Sequence, residues 1–250
     1  MTWPNGGWPH SGDAIIAEAH DWVSSPYTGG SIPVSRETGE PVVYDAIVTK
    51  SPKYVLGVQG ADCPSIFLYD AEAGVIGLAH AGWKPVVRGV VRNTVGLMRD
   101  LGALPSRMMV FVGPGVGDRL NEFQWDEAME PRVREVFLAA GREDLLIDPT
   151  IRHQMSKEEC KEVKNVTGRD IRGGTALMLA SLIVRDLIEE GVVREKIEVS
   201  AHSTICESWP VVDNEAVVYR YHSARRDTGK DAERPGFGVN LCILFLENQH

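Results

Sequence analysis

Residues 54–84 read YVLGVQGADCPSIFLYDAEAGVIGLAHAGWK. Three short segments, YVLGVQG, SIFLYD and VIGLAH, are rich in β-branched and aromatic residues and are bounded by Gly, Pro or Asp, the pattern of strands separated by turns. With VVYDAIVT from Val42 they predict a sheet assembled between residues 42 and 80. A short turn at Ala71–Gly74 makes SIFLYD and VIGLAH adjacent strands. Cys63, in the loop before the first, and His80, at the end of the second, then come close together. Strand ends are where sheets present reactive groups.

Outward from this core the pattern changes. KPVVRGVVRNTVGLMRDLG carries Val87, Val90, Val91, Val95, Met98 and Leu101 on one helical face, with Gly102 as a stop. MMVFVG at 108–113 reads as a strand running into PGVG, a tight backbone turn near the site and not a dinucleotide fingerprint. Residues 126–140 read as a helix with Pro131 in its first turn. TALMLASLIVRDLIEEG at 175–191 reads as a helix ending at Gly191. IEVSA, VVYRY and VNLCILFL are late strands, and Asp13–Val23 is expected to form a short helix capped by Asp13. Strands early and late with helices between predict an α+β fold of mixed sheets flanked by helices. One domain is expected over residues 1–250, with 1–12 irregular.

The chain has 250 residues, 43% of them apolar, and a formal net charge of −9. A chain of this length buries a large core without a disulfide or metal staple, so any metal is expected to serve chemistry. The acidic balance argues against nucleic-acid or membrane-surface partners. No apolar run is long enough to span a membrane. The first residues, MTWPNGGWPHSGD, lack a basic start and an apolar signal core. The four cysteines form no CxxC pair and have irregular spacing, which fits a reducing compartment. A cytoplasmic location is expected. The oligomeric state stays open.

A thiol beside an imidazole supports two chemistries: an activated nucleophile, or part of a zinc site with three protein ligands and an open position. Spacing alone leaves both open, alongside a structural role for the two residues. No GxSxG, HExxH, P-loop or EF-hand string occurs.

The strings Ala61-Asp62-Cys63-Pro64 and Ala79-His80-Ala81-Gly82-Trp83, the amphipathic stretch after them and VFVGPGVG resemble the YfiH-type family. That family was long labelled polyphenol oxidase or multicopper laccase and is now described as purine nucleoside phosphorylases with adenosine deaminase activity. Asp45-Ala46-Ile47-Val48-Thr49 resembles its Asp-Ala…Thr strand. Ser203-Thr204-Ile205-Cys206 and YRYHSARRDTGK resemble its C-terminal motifs. The resemblance covers residues 13–246 and implies the layered α/β/β/α fold shared with cytotoxic necrotizing factor. It implies a His-Cys-His zinc set, with copper as the alternative metal, and a purine nucleoside with phosphate as substrates.

In this chain the set implied is His20, Cys63 and His80, with His10 as the other candidate for the first position. The family's Gln-Val-His-Gly string is missing. Asp62 is the carboxylate nearest the pair and the candidate proton carrier. Lys84, Arg225 and Arg226 are the candidate phosphate and substrate contacts, since guanidinium forks match phosphate oxygens. His222, beside the Arg pair, is a further residue to test.

Departures from the family fall around the site. Trp83-Lys84-Pro85 stands for Trp-Arg-Gly, one residue fewer separates the Cys and Pro, and Thr228-Gly229-Lys230 stands for Thr-Gly-Arg. Two other readings stand beside the phosphorylase: a metal-free Cys–His hydrolase or deamidase, and a non-catalytic small-molecule binding protein. Seven histidines are too few for a multicopper oxidase.

Overall fold

The computed structural model describes residues 8–24, 30–116, 123–125, 127–167, 174–205, 220–224 and 239–247. Its strands are β1 (Ala14–Ile16), β2 (Asp21–Ser24), β3 (Ser31–Val34), β4 (Ala46–Thr49), β5 (Val55–Gly60), β6 (Ser65–Asp70), β7 (Val75–His80), β8 (Met109–Val112), β9 (Gln124–Trp125), β10 (Arg152–Gln154), β11 (Thr175–Leu177), β12 (Ile197–Val199) and β13 (Asn240–Phe245). The α-helices are α1 (Trp83–Val87), α2 (Val90–Asp100), α3 (Glu130–Ala139), α4 (Lys157–Thr167) and α5 (Leu179–Glu189).

A six-stranded sheet runs β1-β4-β7-β6-β8-β12. Its centre is antiparallel, and its two outer pairs, β1 with β4 and β8 with β12, are parallel. Strand alternation divides the core between the two faces. Ala46, Val48, Ile66, Leu68, Val75 and Ala79 point to the helical side, where α2 and α5 pack. Ile47, Ile76 and Leu78 point the other way, onto Leu56 and Val58 of β5, which pairs with β13. Every residue of β7 is buried, because both faces of the central strand are covered. The result is a mixed α+β fold.

The apolar stripe of residues 85–102 forms two helices. Gly89, at φ 96°, separates α1 from α2, which buries Val90, Val91, Val95 and Met98. Each such side chain contributes roughly 1.5–3 kcal/mol by leaving water. Helix α3 opens at Glu130 with Pro131 in its first turn. The stretch 175–191 starts as β11 before α5 begins at Leu179. Residues 217–219 of VVYRY lie outside the described residues.

The N-terminal segment departs from the expected helix. Residues 13–23 form β1, a 3-10 turn at Ala17–Ala19 and the first part of β2. Asp13 caps no helix; its carbonyl accepts the N–H groups of Asp45 and Ala46. Ala14, Ile15 and Ile16 pair with Ala46, Ile47 and Val48. Pairing to a buried neighbour strand outweighs the modest helix propensity of Ala and Glu.

The β6–β7 turn is fixed by Asp70, a fully buried carboxylate. It accepts the N–H groups of Glu72 at 3.0 Å, Ala73 at 3.2 Å and Leu104 at 2.8 Å, and Arg107 Nη2 at 2.9 Å. Burial pushes the carboxyl up, but Arg107 and the Leu104 and Ala73 N–H groups outweigh it and hold Asp70 at about 2. A carboxyl depressed in the folded state stabilises fully above its unfolded value and loses that contribution as pH falls. Wild-type stability in urea unfolding is therefore expected to drop between about pH 4 and about pH 2. Asp70→Ala, which removes the acceptor of the Glu72, Ala73 and Leu104 N–H groups and leaves Arg107 only its Glu72 carboxylate, is expected to cost about 3 kcal/mol at pH 7 and to flatten that acid limb.

Candidate metal centre

Ser65 lies opposite His80 in the β6–β7 ladder. That register sets Cys63, two residues ahead of β6, beside the last residue of β7. The loop is anchored on both sides: Ala81 N–H donates to the Pro64 carbonyl at 2.9 Å and Val116 N–H to the Asp62 carbonyl at 2.8 Å. The stretch Gly113–Val116 thus packs against the cysteine loop.

A third side chain joins them. His10, Cys63 and His80 each present one ligand atom, and these atoms lie within 4.8 Å of one another, the one such group among the described residues. His80 is buried, while His10 and Cys63 are half-buried. The donor set, two imidazoles and a thiol, suits zinc or another borderline-soft ion.

The histidines are held in the tautomer that ligation needs. His80 Nδ1 lies 3.1 Å from Asp45 Oδ1, and His10 Nδ1 lies 2.9 Å from the Trp8 carbonyl oxygen. Both partners are acceptors, so each Nδ1 carries the proton and each Nε2 keeps its lone pair. Burial pushes the Asp45 carboxyl up, but hydrogen bonds from His80 and the Gly12 backbone hold it below its ordinary value. Burial, then the neighbouring His80, lowers His10, which favours the neutral ring. Trp8 stacks on the His80 ring with centroids 4.9 Å apart and planes at 19°.

Gly82 borders the space between the three side chains and leaves it open. A Cβ at this position would sit 2.9 Å from Cys63 Sγ, 3.3 Å from His10 Cδ2 and 3.4 Å from His80 Cε1. The two imidazole carbons named flank Nε2, so these ring edges face the space beside the thiol.

The other sequence-derived residues fall in varied places. His20 follows the 3-10 turn at the start of β2 and does not join the group; burial, then the Arg36 charge, lowers its pKa. Asp62 is buried at φ 84° and accepts a hydrogen bond from Thr204 Oγ1 at 2.8 Å. Lys84 is the second residue of α1, its ammonium 5.7 Å from the Trp83 ring centroid. Burial, then the charges of Arg132 and Arg88, lowers Lys84. Arg225, Arg226, Cys206 and Thr228–Lys230 lie outside the described residues. His222 exchanges backbone hydrogen bonds with the Asn240 side chain. His153 pairs with Glu159 at the start of α4, a structural contact.

The sequence reading passed over Asp45 as a partner of His80, the close approach at Gly82, and the Trp8 stack. The one available signal for His10 was a glycine, Gly12, two residues after it, a loosened form of a His-Gly pair.

The chain is similar to several known proteins. Residues 13–233 match the family model described as "Multi-copper polyphenol oxidoreductase laccase". A purine nucleoside phosphorylase of Deinococcus radiodurans is 44% identical over 97 residues, covering 39% of this chain and 36% of that protein. Adenosine deaminase RL5, from an unknown prokaryotic organism, is 38% identical over 72 residues, covering 29% of this chain and 28% of that protein. The matches thus span about a third of these relatives' own lengths. In three dimensions the chain superposes on YlmD from Geobacillus stearothermophilus with a TM-score of 0.62 and 23% identity, over 96% of this chain and 72% of that one. That likeness shows the shared fold. No helix among the described residues is long and apolar enough to cross a membrane.

Gly82→Ala tests the crowding at the centre. The added methyl displaces the Cys63 sulfur, and zinc affinity measured by chelator competition is expected to fall at least about tenfold with unchanged far-UV circular dichroism. Wild-type affinity in this variant would contradict the geometry.

Proposed function

Because the chain belongs to the family described as multi-copper polyphenol oxidoreductase laccase, we propose that it is a purine nucleoside phosphorylase with one zinc site, held by His10, Cys63 and His80, in a single domain over residues 1–250. The observation that carries this reading is the His-Cys-His group with both Nε2 lone pairs free. Zinc is favoured over copper because one such group stands among the described residues, whereas multicopper chemistry needs several centres. When bound, the metal would supply Lewis acidity and a water acidified to a pKa near about 7.

The chain's own residues supply the rest. Lys84, with Arg225 and Arg226, binds the phosphate dianion. Phosphate oxygen forms a bond to the sugar C1′ as the glycosidic bond to the purine breaks, and the departing base takes a proton. Asp62 is assigned to that proton transfer, oriented by Thr204. Trp83 and Phe123, with ring centroids 6.1 Å apart beside α1, offer apolar surface for the purine. Deamination of adenosine, the activity in the name of one relative, would use the same metal ligands and proton carrier without phosphate.

One observation favours a second reading. Cys63, His80 and Asp45 also form a nucleophile, base and orienting carboxylate in sequence, the arrangement of a metal-free Cys–His hydrolase. Metal content separates the two.

Elemental analysis of the wild type is expected to give about one zinc per chain. Release of free base from adenosine or inosine is expected to require phosphate. His80→Ala is expected to lose both zinc and turnover, with activity down more than about a hundredfold. Metal-free protein with a Cys63 thiol titrating well below about 8.5 would support the hydrolase instead.

A further inference from the structure

Asp45 is the buried carboxylate that ties the site to the N-terminal arm. It stands immediately before β4 and is fully buried. Its Oδ1 receives the His80 Nδ1 proton at 3.1 Å and the His10 backbone N–H at 3.2 Å. Its Oδ2 receives the Ser11 hydroxyl at 3.2 Å and the Gly12 N–H at 2.9 Å. One carboxylate therefore grips a ligand at the end of β7 and, on the other side, the backbone that carries a second ligand.

The arm from Trp8 to Asp13 forms no strand or helix. It turns through two left-handed positions, His10 at φ 56° and Gly12 at φ 88°. Its other ties are these: Arg88 Nη1 donates to the His10 carbonyl, Asn93 Nδ2 donates to the Gly12 carbonyl at 2.9 Å, the Asp13 carbonyl accepts the Asp45 and Ala46 N–H groups where β1 begins, and Trp8 lies on the His80 ring. A segment without its own ladder keeps its place through such side-chain contacts, and local opening is its low-energy excursion.

We propose that Asp45 is a positioning residue that couples docking of the arm at residues 8–13 to assembly of the metal centre. With the carboxylate in place, His80 keeps its lone pair at Nε2 and His10 is held at the third corner. Ion binding and arm docking then form one equilibrium, so zinc rigidifies residues 8–13. This inference rests on the metal reading above.

The test uses the full chain as wild type, Asp45→Asn and Arg88→Ala. Zinc affinity is measured by chelator competition, and amide hydrogen exchange over residues 8–13 is followed with and without zinc. Cobalt substitution supplies a spectroscopic signature. In the wild type, zinc is expected to slow exchange across the arm. Asp45→Asn is expected to bind zinc 10–100-fold more weakly and to lose that slowing. Its cobalt complex keeps the Cys63 thiolate band but shows altered d–d bands. Arg88→Ala, which loosens the arm without touching either imidazole ring, is expected to weaken zinc severalfold at an unchanged melting temperature. It also keeps the inference testable should Asp45→Asn fail to fold. Wild-type zinc affinity in either folded variant, or an arm whose exchange ignores zinc, overturns the coupling alone. A wild type that binds no zinc overturns the metal reading and the coupling together.

Discussion

The antiparallel register that sets Ser65 against His80 is the constraint on which the rest of the site depends. Side chains alternate along both strands, so a slip of one residue would send the inward apolar set of β6 and β7 to the wrong faces. Two apolar cores, one on each side of the six-stranded sheet, oppose that slip. Asp70 fixes the turn between the strands with backbone and guanidinium hydrogen bonds. A thiol and an imidazole distant in sequence are therefore brought together by packing forces acting well away from them.

Around that fixed pair the polar groups are arranged economically. A carboxylate buried beside β4 carries its charge because donors surround it, which is the condition for ionisation away from water. Asp45 settles which nitrogen of His80 carries hydrogen, and the Trp8 carbonyl does the same for His10. Gly82 leaves the centre open where any side chain would collide with the sulfur. The space is thus shaped by backbone as much as by the three side chains that border it.

Much of the fold was legible in residues 42–112. Period-two runs of Val, Ile and aromatics there became β4 to β8, and the stripe from Val90 to Met98 became α2. Short apolar stretches were less legible. Ala14-Ile15-Ile16 has too few residues to separate a strand from a helix by periodicity, and its partner strand decided the outcome. Cys63 and His80 could be paired in advance because a hairpin joins them. His10 could not be selected over His20, because its place depends on a left-handed backbone and on Asp45, neither of which has a local sequence signature.

The parallel outer pairs of the central sheet bear on how the chain reaches this arrangement. Strands β6 and β7 close through a four-residue turn, whereas β1 must find β4 across some thirty residues and β12 must find β8 across a still longer excursion. Loop closure over greater separations is slower. The nascent sheet therefore brings the thiol and one imidazole together early, and the edge strand next to the N-terminal imidazole settles afterwards. The hairpin that carries Cys63 and His80 is thus the most local pairing of the sheet, while the strand that follows His10 joins through a much longer closure.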